Sequence, residues 1–156
     1  MARTGRLGIA VLAGMGVWLA GAPSAHAQAA ATYERASTGT RQLTLPTGTV
    51  IKMLLDASVL GTSEVEVAEI TFPAGASSGA HRHGAVEMFY VVEGVLGHVV
   101  NGVEHRLEPG MAGVVKPGDE VQHRVLEGPL KVVVIWAPGG EGDRIAPRER
   151  WTPLDD

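Results

Sequence analysis

From Arg41 to Trp136, short runs of alternating apolar and polar residues are each closed by a turn signal. Period-two alternation marks half-buried strands. The runs predict strands at Arg41–Leu45, Val50–Leu54, Val65–Phe72, Val86–Val92, Leu96–Val100, Val103–Leu107, Gly113–Val115, Val121–Leu126 and Leu130–Trp136. Asn101-Gly102 is a two-residue hairpin turn. Pro46-Thr47-Gly48, Pro73-Ala74-Gly75, Pro109-Gly110, Pro117-Gly118 and Gly128-Pro129 punctuate the others. No long run has helical periodicity. Many short, evenly spaced strands predict an all-β sandwich or barrel in a single domain. Pro138 to Gly142 ends the last strand, and a polar tail follows from which Trp151 is expected to dock back on the barrel.

The two ends of the chain read differently. Arg3 and Arg6 precede an uncharged apolar stretch from Leu7 to Ala22, and Ala25-His26-Ala27 has the small-residue pattern of a signal-peptidase site. Residues 1–27 are therefore expected to form a cleavable signal peptide, cut between Ala27 and Gln28. The apolar stretch is short beside the ~20 residues of a full membrane span, so no stable span is expected after processing. The arginines are not adjacent, which points to Sec-type rather than twin-arginine export, and to a periplasmic or secreted location. Residues 28–40, rich in Ala, Ser, Thr and Gly, are expected to be a flexible segment. The barrel is then expected over 41–138 and the tail over 139–156.

Composition narrows the chemistry. The chain has no cysteine, so it holds neither a disulfide framework nor a thiolate metal site. Its net charge is −4. No basic patch with interleaved aromatics is present, so nucleic acid is not an expected partner.

Chemistry concentrates in Gly75–Gly94, GASSGAHRHGAVEMFYVVEG. Side chains at i, i+2 and i+6 of a strand share a face, so His81, His83 and Glu87 should point together. Carrying such groups into a low-dielectric interior is costly unless something compensates, and a divalent cation does so. His123, in a later strand, is the candidate to complete the set. By the same parity Phe89 and Val91 should line the cavity, while Met88, Tyr90 and Val92 point away. Arg82 should be solvated, and His98 and His105 are expected to be surface or partly buried histidines rather than ligands. Glycines 75, 79, 84 and 94 are expected to permit turns or close backbone approach.

The spacing Gly75, His81-x-His83, Glu87, Gly94 resembles the first motif of the cupin family. Pro109-Gly110 through Lys116-Pro117-Gly118 to His123 is similar to the second motif, with spacings shifted by about one residue and Glu127 where asparagine is common. The similarity spans Val65 to Trp136. It implies a small cupin double-stranded β-helix, or jelly-roll barrel, with one divalent metal held by His81, His83, Glu87 and His123.

Three imidazole nitrogens and a carboxylate suit several ions. Fe or Mn is favoured, with Zn, Ni and Cu open because export exposes the site to those ions. On a six-coordinate ion two positions remain for substrate, water or dioxygen. The function expected first is a metal-dependent enzyme on a small molecule, dioxygenase-like or isomerase/lyase-like, with Glu87 able to act as a base. The alternative is a non-catalytic ligand-binding or structural metal-binding module. Small jelly-roll domains pair through edges or outer faces, so a homodimer is expected.

Overall fold

Regular alternation between buried and exposed side chains organises the strands into one antiparallel sheet that curls around a core. The computed structural model describes residues 37–154. The expected signal peptide, and the 28–36 part of the flexible segment, lie outside the described residues. Nine strands run in chain order: β1 Arg41–Thr44, β2 Val50–Leu55, β3 Glu66–Phe72, β4 His81–Arg82, β5 Val86–Val100, β6 Val103–Leu107, β7 Ala112–Val115, β8 Glu120–Ala137 and β9 Thr152–Pro153. The main path across the sheet is β6-β5-β8-β3-β2-β1-β9, with β4 on β8 and β7 on β5. Helices are confined to α1, Ala57–Leu60, α2, Glu141–Ile145, and a 3-10 turn at Arg148–Arg150. The expected all-β jelly-roll class is what the chain adopts.

Two pairs of predicted strands are continuous. Val86–Val92 and Leu96–Val100 are two halves of β5, joined through register shifts between Val91 and Leu96. Val121–Leu126 and Leu130–Trp136 are likewise two halves of β8. Gly128-Pro129 reads as a turn in sequence, but the strand runs through it. Pro129 has no N–H to donate. It sits where β5 skips: Glu127 pairs Val95 and Lys131 pairs Glu93, with no β5 partner between.

These irregularities reverse parity. On β5, Glu87, Phe89 and Val91 point inward, whereas past the bulges Leu96 and His98 do. On β8, Val121, His123 and Val125 face in before Pro129, and Leu130, Val132, Val134 and Trp136 after it. A one-residue slip moves every following side chain to the other face. The front half of β5 pairs with β7 and the late part of β8; its back half pairs with β6 and the early part of β8. Each long strand thus serves two walls, and the inward residues meet in a core that includes Met53, Ala68, Leu96, Val132, Val134 and Trp136. Burying each large apolar side chain contributes about 1.5–3 kcal/mol.

The tail returns to the barrel. β9 pairs with β1, and Trp151 is buried with Nε1–H donating to the Ala146 carbonyl at 3.2 Å. The Arg41 guanidinium lies 4.6 Å from the Trp151 ring centre. It also meets Asp56, Glu66 and Asp143.

Gly94 makes the β5 bend feasible. Its φ is +78°, and an added Cβ would be driven into the carbonyl oxygens of Pro129 and Glu127. Gly84 also meets a close neighbour, the Arg144 side chain, whereas Gly79 has neither a positive φ nor an atom near its would-be Cβ, so the expected constraint does not hold there. Gly94→Ala is expected to lower unfolding free energy by roughly 2 kcal/mol or more, and Gly79→Ala to leave it within ~0.5 kcal/mol, both read by denaturant titration.

Candidate metal centre

The barrel interior receives the four predicted ligands from β4 (His81), β5 (Glu87), β8 (His123) and the β4–β5 connection (His83), so the expected single strand is broken after Arg82. β4 pairs His81 with Val121 and Arg82 with Glu120 on β8, which sets it beside His123. Backbone bonds hold the approach: Ser78 N–H donates to the His123 carbonyl at 2.9 Å, and His123 N–H donates to Ser78 Oγ at 2.9 Å. Glu87 and Trp136 are register partners on β5 and β8. The ring centres of His81 lie 4.8 Å from His83 and 5.4 Å from His123. His83 Nε2 is 3.1 Å from Glu87 Oε1, and His123 Nε2 is 3.8 Å from Glu87 Oε2. All four side chains line one cavity of ≈ 350 Å³.

Hydrogen bonds orient these groups. His81 Nδ1 lies 2.8 Å from the Gly79 carbonyl, which can only accept, so Nδ1 carries the hydrogen and Nε2 keeps its lone pair. His83 Nδ1 is 3.2 Å from a Glu141 carboxylate oxygen, which leaves Nε2 free in the same way. Trp136 Nε1–H donates to Glu87 Oε1 at 2.8 Å. His83 Nε2, His123 Nε2 and Glu87 Oε2 remain buried without a hydrogen-bond partner. The 3.1 Å approach of His83 Nε2 to Glu87 Oε1 is thus proximity without hydrogen-bond geometry. Orphaned buried polar atoms are rare and costly. Beside Arg41 Nε and both ring nitrogens of His98, which are also partnerless, they include two nitrogen donors and one oxygen donor lining one cavity, a set that fits a divalent ion of the transition series. Among the described residues no three such side chains are spaced as a ready-made cage. The fit rests on the partnerless atoms and on the chemistry of the donors.

Burial sets the protonation of the metal-free site. It pushes the Glu87 carboxyl up to about 8, offset in part by the Trp136 hydrogen bond and reinforced by the nearby Glu141 charge. Burial lowers His83, against the upward pull of the Glu141 hydrogen bond. Burial also holds His123 well below the usual histidine range, aided by the neighbouring histidines.

Two participants have no local signal in the sequence. Glu141, in the tail, is buried; it accepts from Gly84 N–H at 3.0 Å and from Arg144 at 3.0 Å while facing His83. Trp136 is recognisable as a strand residue, but only strand register aims its indole at Glu87. Phe89 lines the cavity as parity predicts, whereas Val91 is buried in the core and does not. Met88, Tyr90 and Val92 are exposed. Arg82 is solvated and paired with Glu120 at 3.1 Å. His98 corrects its expectation: it is 2% exposed, stacked behind His123 with ring centres 5.5 Å apart. The parity reversal on β5 turned it inward. His105 is exposed.

Comparison with known proteins agrees with this architecture. Residues 68–137 match the family described as "Cupin domain". The chain is similar to an RmlC-like cupin from Shewanella frigidimarina, with 25% identity, a TM-score of 0.57, and 66% of this chain and 87% of that chain covered. It is similar to KdgF from a Halomonas species, with 23% identity, a TM-score of 0.57, and coverage of 65% and 88%. A predicted oxalate decarboxylase from Thermotoga maritima shows 20% identity, a TM-score of 0.57, and coverage of 67% and 96%. Comparison with curated protein sequences yields no match. The fold is the cupin fold, in a single domain.

The raised Glu87 value makes metal-free stability depend on pH. The folded state holds this proton more tightly than the unfolded chain, whose value is near 4.5. The associated stability is complete below that value and is lost as pH rises through about 8. His83 and His123 act oppositely: their contribution is complete above the ordinary 6.5 and is lost at lower pH. Between pH 6.5 and 8, chelator-treated protein is therefore expected to lose on the order of 2 kcal/mol in denaturant titrations. Glu87→Gln should abolish that loss; an equal decline in the variant would assign it to another group.

Proposed function

We propose that the barrel binds one divalent metal ion through His81, His83, Glu87 and His123 and works as a metal-dependent enzyme on a small molecule. The observation that carries this reading is the set of buried, partnerless donor atoms, His83 Nε2, His123 Nε2 and Glu87 Oε2, at the edge of a cavity. A structural neighbour described as a predicted oxalate decarboxylase shares the fold. A resident ion would supply Lewis-acid polarisation of a substrate oxygen or, as iron, redox chemistry.

The chain's own groups do the rest. Gly79 and Glu141 hold the imidazoles of His81 and His83 in the tautomer that offers Nε2. The Trp136 indole occupies Glu87 Oε1 and leaves Oε2 to act. Glu87 Oε2, which has no hydrogen-bond partner, is the oxygen placed to take a proton from a substrate held beside it. Phe89 and neighbouring apolar side chains line the space beside that oxygen. The N-terminal segment, read as a Sec-type signal, supports a periplasmic or secreted setting for this activity.

Protein purified from its native compartment is expected to carry about one equivalent of metal by elemental analysis, and His81→Ala and Glu87→Ala to lose it. Full retention in both variants would overturn the assignment. Glu141→Ala is expected to keep the ligands yet weaken metal affinity by about 10–100-fold in chelator competition, because His83 loses the partner that orients its ring. Unchanged affinity in a folded variant would remove Glu141 from the site.

A further inference from the structure

The cavity beside the four ligands has a one-sided character. Its walls carry Leu45, Ile51, Ile70, Phe72, Phe89 and Ile145. Polar groups other than the ligand set are few: the hydroxyls of Thr47, Thr49, Ser77 and Ser78 and the indole of Trp136, already committed to Glu87. Several of the hydroxyls are also engaged. Thr47 bonds Thr49 at 3.2 Å, Ser78 Oγ accepts from His123 N–H, and Ser77 donates to the Ser78 carbonyl. Among the described residues, no lysine or arginine lines the cavity. Arginines outside the lining are paired elsewhere. Arg41 is buried among Asp56, Glu66 and Asp143, Arg144 holds Glu141, and Arg82 pairs with Glu120 outside.

Charge balance follows from that lining. A divalent ion with one carboxylate ligand, Glu87, keeps one net positive charge. Glu141 is offset by its ion pair with Arg144, 3.0 Å away. One monoanionic group, such as a carboxylate, completes the balance at the ligand end. A second anionic group lying along the same walls would meet aliphatic and aromatic side chains and remain unpaired, which is costly. A chain of hydroxyls would lose its hydration against the same walls, with few free partners to replace it. The volume of ≈ 350 Å³ lies at the small end of ligand pockets.

We infer that the ligand of this cavity is a small monoanionic acid with a mainly apolar body, bound with its acid group toward His83, Glu87 and His123 and its body against Ile51, Ile70 and Phe72. Dicarboxylates, sugar acids and phosphorylated compounds are selected against by the same walls. This inference rests on the metal-site reading above and adds the chemical class of what the site takes. It also distinguishes this cavity from a site built for a small dianion, which would need a second cation within reach.

The test uses hexanoate, adipate and gluconate as probes on zinc-loaded protein of verified metal content. The three share chain length and differ in one feature each: a second carboxylate in adipate, a run of hydroxyls in gluconate. Binding is read by calorimetry, and its position by the methyl resonances of Ile51, Ile70 and Ile145. Hexanoate is expected to bind at least about tenfold more tightly than either competitor and to shift those methyls. Across acetate, butyrate and hexanoate, affinity should rise about fourfold per added methylene. Adipate or gluconate binding as tightly as hexanoate, or no binding of hexanoate to metal-bearing protein, would overturn the inference and leave the metal site standing. Failure of the protein to take up zinc would overturn the reading beneath it, and this inference with it.

Discussion

A carboxylate buried inside a barrel wall is the constraint on which the site depends. Glu87 is 1% exposed and sits among imidazoles, an indole and apolar side chains. Left charged and uncompensated there, it would destabilise the fold; its proton is accordingly held to about pH 8 without a metal. Everything around it reads as compensation. Trp136 donates to Oε1, His83 Nε2 lies 3.1 Å from that same oxygen, and His123 Nε2 lies 3.8 Å from Oε2. A cation is the partner that would satisfy the remaining donors together, where any single hydrogen bond would satisfy one.

That arrangement is kept in register by backbone irregularity. The bulges on β5 and the Pro129 interruption on β8 turn odd-numbered inward residues into even-numbered ones. Without those reversals His123 and Trp136, on opposite parities of the same strand, could not both face the core. The bends also let each strand line two walls, so a domain this small encloses a cavity. Gly94 carries the sharpest part of the bend, where a side chain would collide with carbonyl oxygens across the sheet.

The tail is part of the same device. Gly142 N–H donates to Glu66 Oε2 at 3.0 Å, and Arg41 bridges Glu66, Asp56 and Asp143. These buried contacts fix α2 against β1 and β3, and α2 in turn presents Glu141 to His83 and Gly84. A buried ion network is weak evidence of net stability. Its consequence here is positional: it sets the orientation of an imidazole whose other nitrogen faces the site.

Much of this molecule was legible in its residues one after another. Period-two alternation marked the strands, Asn101-Gly102 and the Pro-Gly pairs marked the turns, and the even spacing of His81, His83 and Glu87 singled those residues out, although they come from β4, the β4–β5 connection and β5 rather than from one strand face. These are local properties, because strand parity and turn chemistry depend on near neighbours. What only the tertiary structure decided is which distant groups meet. Glu141 and His83 are 58 positions apart, and Trp136 and Glu87 are 49 apart. No local pattern encodes either contact. His98 was misjudged for a related reason: its inward direction follows from bulges that emerge only when β5 is paired with β8. Local chemistry thus determined the donors, and long-range strand pairing determined their orientation, their burial and the apolar space they share.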